Sequence, residues 1–241
     1  MYEKLKEIIA TSENIVFFGG AGVSTESNIP DFRSEAGLYN AIQKYKYPPE
    51  QMLSRSFFDR HTETFYDYYK NNMLYKDAKP NKAHLALAKL EEMGKLKAVI
   101  TQNIDGLHQL AGSKIVYELH GSIHRNYCMN CRASYDLDTI LESEGIPKCS
   151  QCKGGIIKPD VVLYEEALDD RTMMKAIEAI SKADTLIIGG TSLAVYPAAG
   201  LIHYFKGHHL VLINKDKTPY DSKADLVIND AIGEVLGSVI L

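Results

Sequence analysis

With 241 residues, 45% of them hydrophobic and 24% charged, the chain has the length and composition of one α/β domain with small insertions and needs no disulfide staples to bury a core. Its net charge of −4, from 27 basic against 31 acidic residues, excludes a whole-surface basic footprint for nucleic acid and leaves only a local patch open. The opening Met1-Tyr2-Glu3-Lys4-Leu5-Lys6 lacks the apolar core of a signal peptide, and the longest apolar runs are strand-length, so a cytoplasmic location with reduced cysteines is expected.

Leu5, Ile8 and Ile9 lie on one stripe of a helix. Asn14–Phe18 is a short apolar run that stops at Gly19-Gly20, the pattern of a buried strand ending in a tight turn. The stretch 35–79 is rich in Tyr and Phe and punctuated by Pro48-Pro49, which predicts a helical insertion with its own aromatic packing. Leu87, Leu90 and Met93 suit a helix, and Ala98–Ile100 a buried strand. Residues 123–157 break the pattern with four cysteines. Strand-like Val161–Leu163 follows, then a helix near Arg171–Ala183, a strand at Thr185–Ile188, a helix near Ala198–Phe205, and strands at Leu210–Ile213 and Leu226–Ile228. Helices alternating with buried strands predict a doubly wound, Rossmann-like parallel sheet with helices on both faces.

Cys128-Met129-Asn130-Cys131 and Cys149-Ser150-Gln151-Cys152 are two Cys-x-x-Cys pairs with 17 intervening residues. Two such turns complete a tetrahedron of thiolates around Zn²⁺. Four thiolates leave no open coordination position, so one structural zinc per chain is expected at Cys128, Cys131, Cys149 and Cys152. A redox dithiol pair or a nucleic-acid-binding ribbon are the lesser readings.

Gly19-Gly20-Ala21-Gly22-Val23-Ser24-Thr25 follows a buried strand, where a glycine turn can cradle phosphates at a helix N-terminus. The third glycine of G-x-G-x-x-G is missing, because Thr25 stands there, so a plain strand-to-helix turn stays open. Ile29-Pro30-Asp31-Phe32-Arg33 comes just after it. Thr101-Gln102-Asn103-Ile104-Asp105-Gly106 follows the Ala98–Ile100 strand, at the kind of strand end where open α/β sheets bind ligands. A helix cap explains Asn103 and Asp105 equally well. His120 follows the apolar run Ile115–Leu119 and is a candidate general base.

These segments, with Gly190-Thr191-Ser192-Leu193 and Leu212-Ile213-Asn214, come in an order that resembles the sirtuins and span nearly the whole chain from Gly20 onward. The resemblance implies a Rossmann-like NAD-binding domain from residues 1–34, 80–122 and 158–241. A helical insertion at 35–79 and a zinc ribbon at 123–157 would form the small domain, with the active cleft between the two. It implies NAD⁺ consumed as co-substrate and acetyl-lysine proteins or peptides as partners. The product pair would be deacetylated lysine and O-acetyl-ADP-ribose, with nicotinamide released. Carried over, Gly20, Ala21, Gly22, Ser24 and Thr25 would hold the pyrophosphate, and Gly190, Thr191, Ser192 and Asn214 the phosphate and adenosine ribose. Phe32 and Arg33 would close over the dinucleotide, and Ile232 would sit near the adenine. Gln102, Asn103, Ile104 and Asp105 would line the nicotinamide and its ribose. His120 would act as base on a ribose hydroxyl after the acetyl oxygen has attacked the ribose carbon, with Asn103 beside it. Phe32, Val161, Val162, Tyr164 and Val195 would meet the substrate peptide.

The chain departs from the family pattern at Glu165, where the family has glycine, and at Asn28, which tolerates the left-handed backbone of the glycine often found there. Family members that prefer succinyl or malonyl lysine carry a tyrosine and, three residues on, an arginine. Here Tyr66 matches the tyrosine, but Tyr69 stands three residues on, followed by Lys70, so acetyl and other neutral acyl groups are expected. Protein ADP-ribosylation, or non-catalytic binding of NAD or nucleic acid, are the alternative functions. Hydride transfer is disfavoured by the incomplete glycine pattern.

Overall fold

The computed structural model describes residues 2–31 and 42–241. Phe32 and Arg33 lie outside the described residues, as does the start of the expected helical insertion. No described helix is long and apolar enough to cross a membrane.

Six parallel strands form the main sheet: β1 (Ile15–Gly19), β2 (Leu96–Thr101), β3 (Val116–Glu118), β7 (Thr185–Gly189), β8 (His209–Ile213) and β9 (Leu226–Ile228), in the spatial order β3-β2-β1-β7-β8-β9. The order reverses between β1 and β7, the crevice at which doubly wound sheets bind ligands. Every residue of β1 and of β7 is buried, as a central parallel strand covered on both faces requires. Alternate side chains serve different cores. Ile15 and Phe17 join a cluster with α1 (Tyr2–Thr11), α5 (Lys82–Glu92) and α9 (Ile232–Ile240). Val16 and Phe18 join the opposite cluster, under Ala176 and Ile180 of α8 (Asp170–Lys182) and the 3-10 helix Ala198–Tyr204. The second face is thus covered partly by 3-10 geometry where an α-helix is expected. Pro197 lies immediately before that segment and Gly200 interrupts it.

A small antiparallel sheet, β5 (Ser134–Tyr135), β4 (Gly121–Cys128) and β6 (Ile157–Val161), carries the cysteines. The expected strand Val161–Leu163 shares only Val161 with β6. The boundary expected at 157/158 therefore falls inside a strand, and that expected at 122/123 falls inside β4. β4 and β6 pair across both limits, Gly121 with Val161 and Cys128 with Ile157.

The aromatic insertion forms the one-turn helix α2 (Pro49–Met52), then α3 (Arg55–Arg60) and α4 (Thr62–Asn72). Phe58, Phe65, Tyr66 and Tyr69 are fully buried, with Phe58 edge-on to Phe65 at 4.9 Å and Phe65 stacked on Tyr69 at 5.4 Å. They share one core with Ile123, Leu137, Ile140 and Ile157 of the cysteine module. Two short insertions too small to fold alone thus bury each other, each large aromatic adding about 1.5–3 kcal/mol. Two further short helices are α6 (Leu107–Leu110) and α7 (Leu137–Glu142).

Behind β2, His84 of α5 and His108 of α6 are buried with rings 4.7 Å apart. His84 Nδ1 accepts the Asn81 amide and closes the cap of α5. Burial lowers the pKa of His84 to about 4, against a smaller opposing pull from Asp105, and burial plus the neighbouring His84 lowers His108 to about 3. Both values lie below that of the unfolded chain, so the unfolded state binds protons that the native state refuses. The stability this preserves is complete above about pH 6.5 and is lost as pH falls toward about 4 for His84 and about 3 for His108, at roughly 1.4 kcal/mol per pH unit per unmatched proton. The melting temperature should therefore fall steadily over that window, and a His108→Asn variant should show a shallower fall. Parallel slopes in the two proteins would remove the pair as the cause.

Candidate active cleft and metal centre

The sequence segments singled out above meet at one edge of the sheet, because in a parallel sheet every carboxyl end points the same way. Gly20 follows β1, Gln102 follows β2, His120 follows β3, Gly190 follows β7, Asn214 follows β8 and Ile232 follows β9. The turn after β1 does not open an α-helix. It makes two 3-10 segments, Ala21–Val23 and Thr25–Ser27, and ends at Asn28 with φ 62°, the left-handed backbone expected of it. Gly22 donates its amide to Gly190 O at 2.8 Å, and a Cβ on Gly22 would stand 2.7 Å from Gly190 Cα. Only glycine permits that approach of two backbones. Gly20, Val23 and Ser24 also spend their amides on backbone bonds, whereas Ala21 makes none among the described residues.

Side chains tie these strand ends together. Thr191 Oγ1 accepts from Gln102 Nε2 at 3.2 Å and from the Leu193 amide at 3.2 Å. Asn103 Nδ2 donates to Ser24 Oγ at 3.0 Å, and Ser24 Oγ donates to Asp105 Oδ2 at 2.6 Å. Asp105 Oδ1 accepts the Leu107 amide at the start of α6, whose N-cap is Gly106, so this local bond uses only one of the Asp105 oxygens. His120 Nδ1 lies 2.9 Å from Gln102 O. A carbonyl can only accept, so Nδ1 carries the proton and the basic lone pair is on Nε2. Asn214 is half-buried and bonds to Asp216 O through Nδ2. Ile232 is buried in the main core, with its Cδ1 against Gly189 at the end of β7. Ser192 is exposed.

A cavity of about 230 Å³ opens between the sheet edge and the small module. Ala21, Ser24, Gln102, Asn103, Ile104, Asp105 and His120 line it on the sheet side. Val161, Val162, Tyr164 and Val195 line it too, together with Leu53, Tyr69 and Ile123. The wall 161–166 is fixed from two directions. Val162 donates its amide to His120 O, while Tyr164 donates to Leu53 O and accepts from the Arg55 amide. The chain leaves the β6 ladder after Val161 and turns at Leu163–Glu166, where the Glu166 amide bonds Leu163 O, which is why strand patterning misplaces it.

The tyrosine expectation needs correction. Tyr66 does not line the cavity; its hydroxyl donates to Ile157 O inside the small module. Tyr69 is the one that lines it, on the adjoining face of α4. Lys70 Nζ donates to Ser143 O, Ser143 Oγ and Gly145 O, away from the cleft. No Lys or Arg is among the described lining residues. Sequence reasoning also missed Leu53 and Glu166 as lining residues, since the first lies in a helical insertion and the second reads as a surface acid.

Cys128, Cys131, Cys149 and Cys152 place their four sulfurs within 4.8 Å of one another. Cys128 and Cys152 Sγ are 3.5 Å apart, and Cys131 and Cys149 Sγ 3.6 Å. Tetrahedral zinc with Zn–S of about 2.3 Å implies sulfurs roughly 3.8 Å apart, so the cluster fits the ion. The Tyr135 hydroxyl lies 3.0 Å from Cys149 Sγ. Thiolate is the form a metal binds.

A Sir2-family model matches residues 20–197. The NAD-dependent protein deacetylase of Clostridium acetobutylicum is 68% identical over 238 residues, covering 98% of this chain and 97% of that one. A solved Sir2 homolog–NAD complex is 39% identical with TM-score 0.89, covering 99% of this chain and 92% of the other. A Sir2 structure with deacetylated peptide and 3′-O-acetyl ADP ribose is 40% identical with TM-score 0.88, covering 97% and 95%.

Purified protein should carry one zinc per chain, and Cys149→Ser should lose the metal and melt at least several degrees lower, because structural zinc contributes folding free energy directly. Metal analysis and thermal melting test this; an unchanged melting point in a demonstrably zinc-free sample would count against it. From the match over most of its length, and from relatives this similar, the chain belongs to the Sir2 family.

Proposed function

We infer that this chain is an NAD-dependent protein-lysine deacetylase. The carrying observation is the meeting of His120, Asn103 and Asp105 in one cleft at the carboxyl edge of a sheet whose solved relatives hold NAD and an acetyl ADP-ribose product. The residue roles that follow are part of the same reading.

Residues 1–34, 80–122 and 158–241 act as the NAD-binding unit, and the insertions 35–79 and 123–157 act as the second wall. Ala21, with its unspent amide, and Gly20, Gly22 and Thr25 around it receive the pyrophosphate. Gly190, Thr191, Ser192 and Asn214 at the next strand ends receive the adenosine half. Ile232 contributes to that end through its backbone, its side chain being in the core. Phe32 and Arg33 follow Asp31 in the chain and belong to the same reading. Gln102 and Ile104 line the nicotinamide end.

Asn103, Ser24 and Asp105 form a hydrogen-bonded chain that holds the Asn103 amide in one orientation, so it can present its oxygen to the nicotinamide ribose without reorganising. His120 is held by Gln102 O with its lone pair on Nε2, the tautomer a general base needs, so it can take a proton from a ribose hydroxyl. Val161, Val162 and Tyr164 offer an extended edge to the substrate peptide, with Val195 opposite. Zinc, when bound, holds the ribbon in shape and supplies no chemistry to the cleft. Four cysteines used as metal ligands suit a reducing compartment, which supports a cytoplasmic location.

The test is mass spectrometry of NAD⁺ mixed with an acetyl-lysine peptide. Nicotinamide, O-acetyl-ADP-ribose and deacetylated peptide are expected together. ADP-ribose attached to protein would point to the transferase alternative, and intact NAD⁺ to binding alone. His120→Ala should lower kcat by about 10²–10⁴-fold with zinc content and melting temperature unchanged; near wild-type turnover removes His120 from the chemistry.

Acyl preference follows from the cleft. Its described lining holds Asp105, Glu165 and Glu166 but no Lys or Arg, and Lys70 is committed elsewhere. A carboxylate on the acyl chain would be buried without a partner. An acetyl-lysine peptide should exceed its succinyl counterpart in kcat/KM by at least about 10-fold. Equal use of the two peptides would place an unseen cation in the pocket.

A further inference from the structure

Glu165 holds a backbone conformation that suits glycine better. Its φ is 75°, in the left-handed region disfavoured by any residue with a Cβ. Its side chain shows what holds it there. Glu165 Oε2 accepts the Ser56 amide at 2.9 Å, and Oε1 accepts the Ser56 hydroxyl at 2.9 Å. Ser56 is the second residue of α3, so the carboxylate satisfies a first-turn amide that has no partner within the helix. The rim of the cleft is thereby bolted to the helical insertion, with a carboxylate fixed in place.

The charges around it do not balance. Glu166 Oε1 accepts from Arg55 Nη1, and its Oε2 from Lys158 Nζ and the Leu163 amide. Arg55 Nε also bonds Asp59. Asp59, Glu165 and Glu166 thus face two cations, Arg55 and Lys158. The two cations are spoken for by Asp59 and Glu166, and both partners of Glu165 are neutral groups of Ser56. The excess negative charge therefore sits on Glu165, which is exposed and lines the cleft next to Tyr164. A carboxylate already immobilised loses no rotamer freedom when a ligand charge approaches.

We propose that Glu165 is a specificity-determining residue, whose carboxylate favours acyl-lysine peptides carrying Lys or Arg beside the acyl-lysine and disfavours peptides with an acid there. This rests on the reading of Val161, Val162 and Tyr164 as the peptide-docking edge. The attraction acts at a solvent-exposed rim, so it is modest and screened by salt.

The experiment uses three acetyl-lysine peptides that differ only in the neighbouring residue, Arg, Ala or Glu. Both kcat/KM and Kd, the latter from fluorescence anisotropy, are measured at low and high salt. Wild type should favour the Arg over the Glu peptide by about three- to ten-fold, in KM and Kd more than in kcat, with the ratio shrinking as salt rises. E165Q keeps an acceptor for the Ser56 amide but loses the charge; its melting temperature should hold while the Arg-to-Glu ratio falls to within about two-fold. E165G suits the backbone, lacks the charge and the tether, and should lose the ratio too. An unchanged ratio in E165Q and E165G, or no preference in wild type, overturns the proposal. Turnover of the Ala peptide by wild type tests deacetylation by itself, and the anisotropy ratios stand whether or not turnover occurs, so the two readings fail separately.

Discussion

The cleft depends on the approach of two backbones, Gly22 after β1 and Gly190 after β7, which touch at the point where the strand order reverses. Parallel strands deliver all their carboxyl ends to one edge, but they do not by themselves bring the turns into contact. The missing Cβ atoms at Gly22 and Gly190 do that. Once these turns meet, Thr191 comes within reach of Gln102, and Ser24 within reach of both Asn103 and Asp105. The polar groups of the site are therefore held by one another before any ligand arrives, which is the condition for electrostatic preorganisation.

The other wall is built on a different principle. Neither the aromatic helices nor the cysteine ribbon has enough apolar surface to stand alone, and they solve this by sharing a core around Phe65, Tyr66, Tyr69 and Ile157. The wall 161–166 is pinned between the two halves by Val162 to His120 O on one side and Tyr164 to Leu53 and Arg55 on the other. Zinc acts at one remove: it fixes the ends of β4 and β6, and β6 leads into that wall.

Lys158 shows how tightly this wall is set. It is buried, its pKa is lowered by burial, and it donates to Pro159 O, Val161 O and Glu166. An ammonium removed from water persists only with such a set of acceptors. Two of its acceptors, Val161 and Glu166, line the cleft, so the interactions that make its burial tolerable also shape the wall.

Much was legible in the sequence because the signals were local. Buried strands announce themselves as apolar runs, and a pair of Cys-x-x-Cys turns encodes its own geometry. The glycine, Gln-Asn-Ile-Asp and histidine motifs fall at strand ends, and a parallel sheet gathers those ends without further instruction. What the tertiary structure alone decided were facings and partners. Tyr66 and Tyr69 are three residues apart on one helix, yet one bonds into the small module and the other lines the cleft, because the shared core fixes the rotation of α4. Asp105 divides its oxygens between a helix amide and Ser24, 81 positions away in the chain. Glu165 stands in the sequence only as a departure from the family's glycine until Ser56, from a distant helix, is brought to its carboxylate. Such contacts depend on how separate elements pack, and no periodicity or spacing within a single segment carries that information.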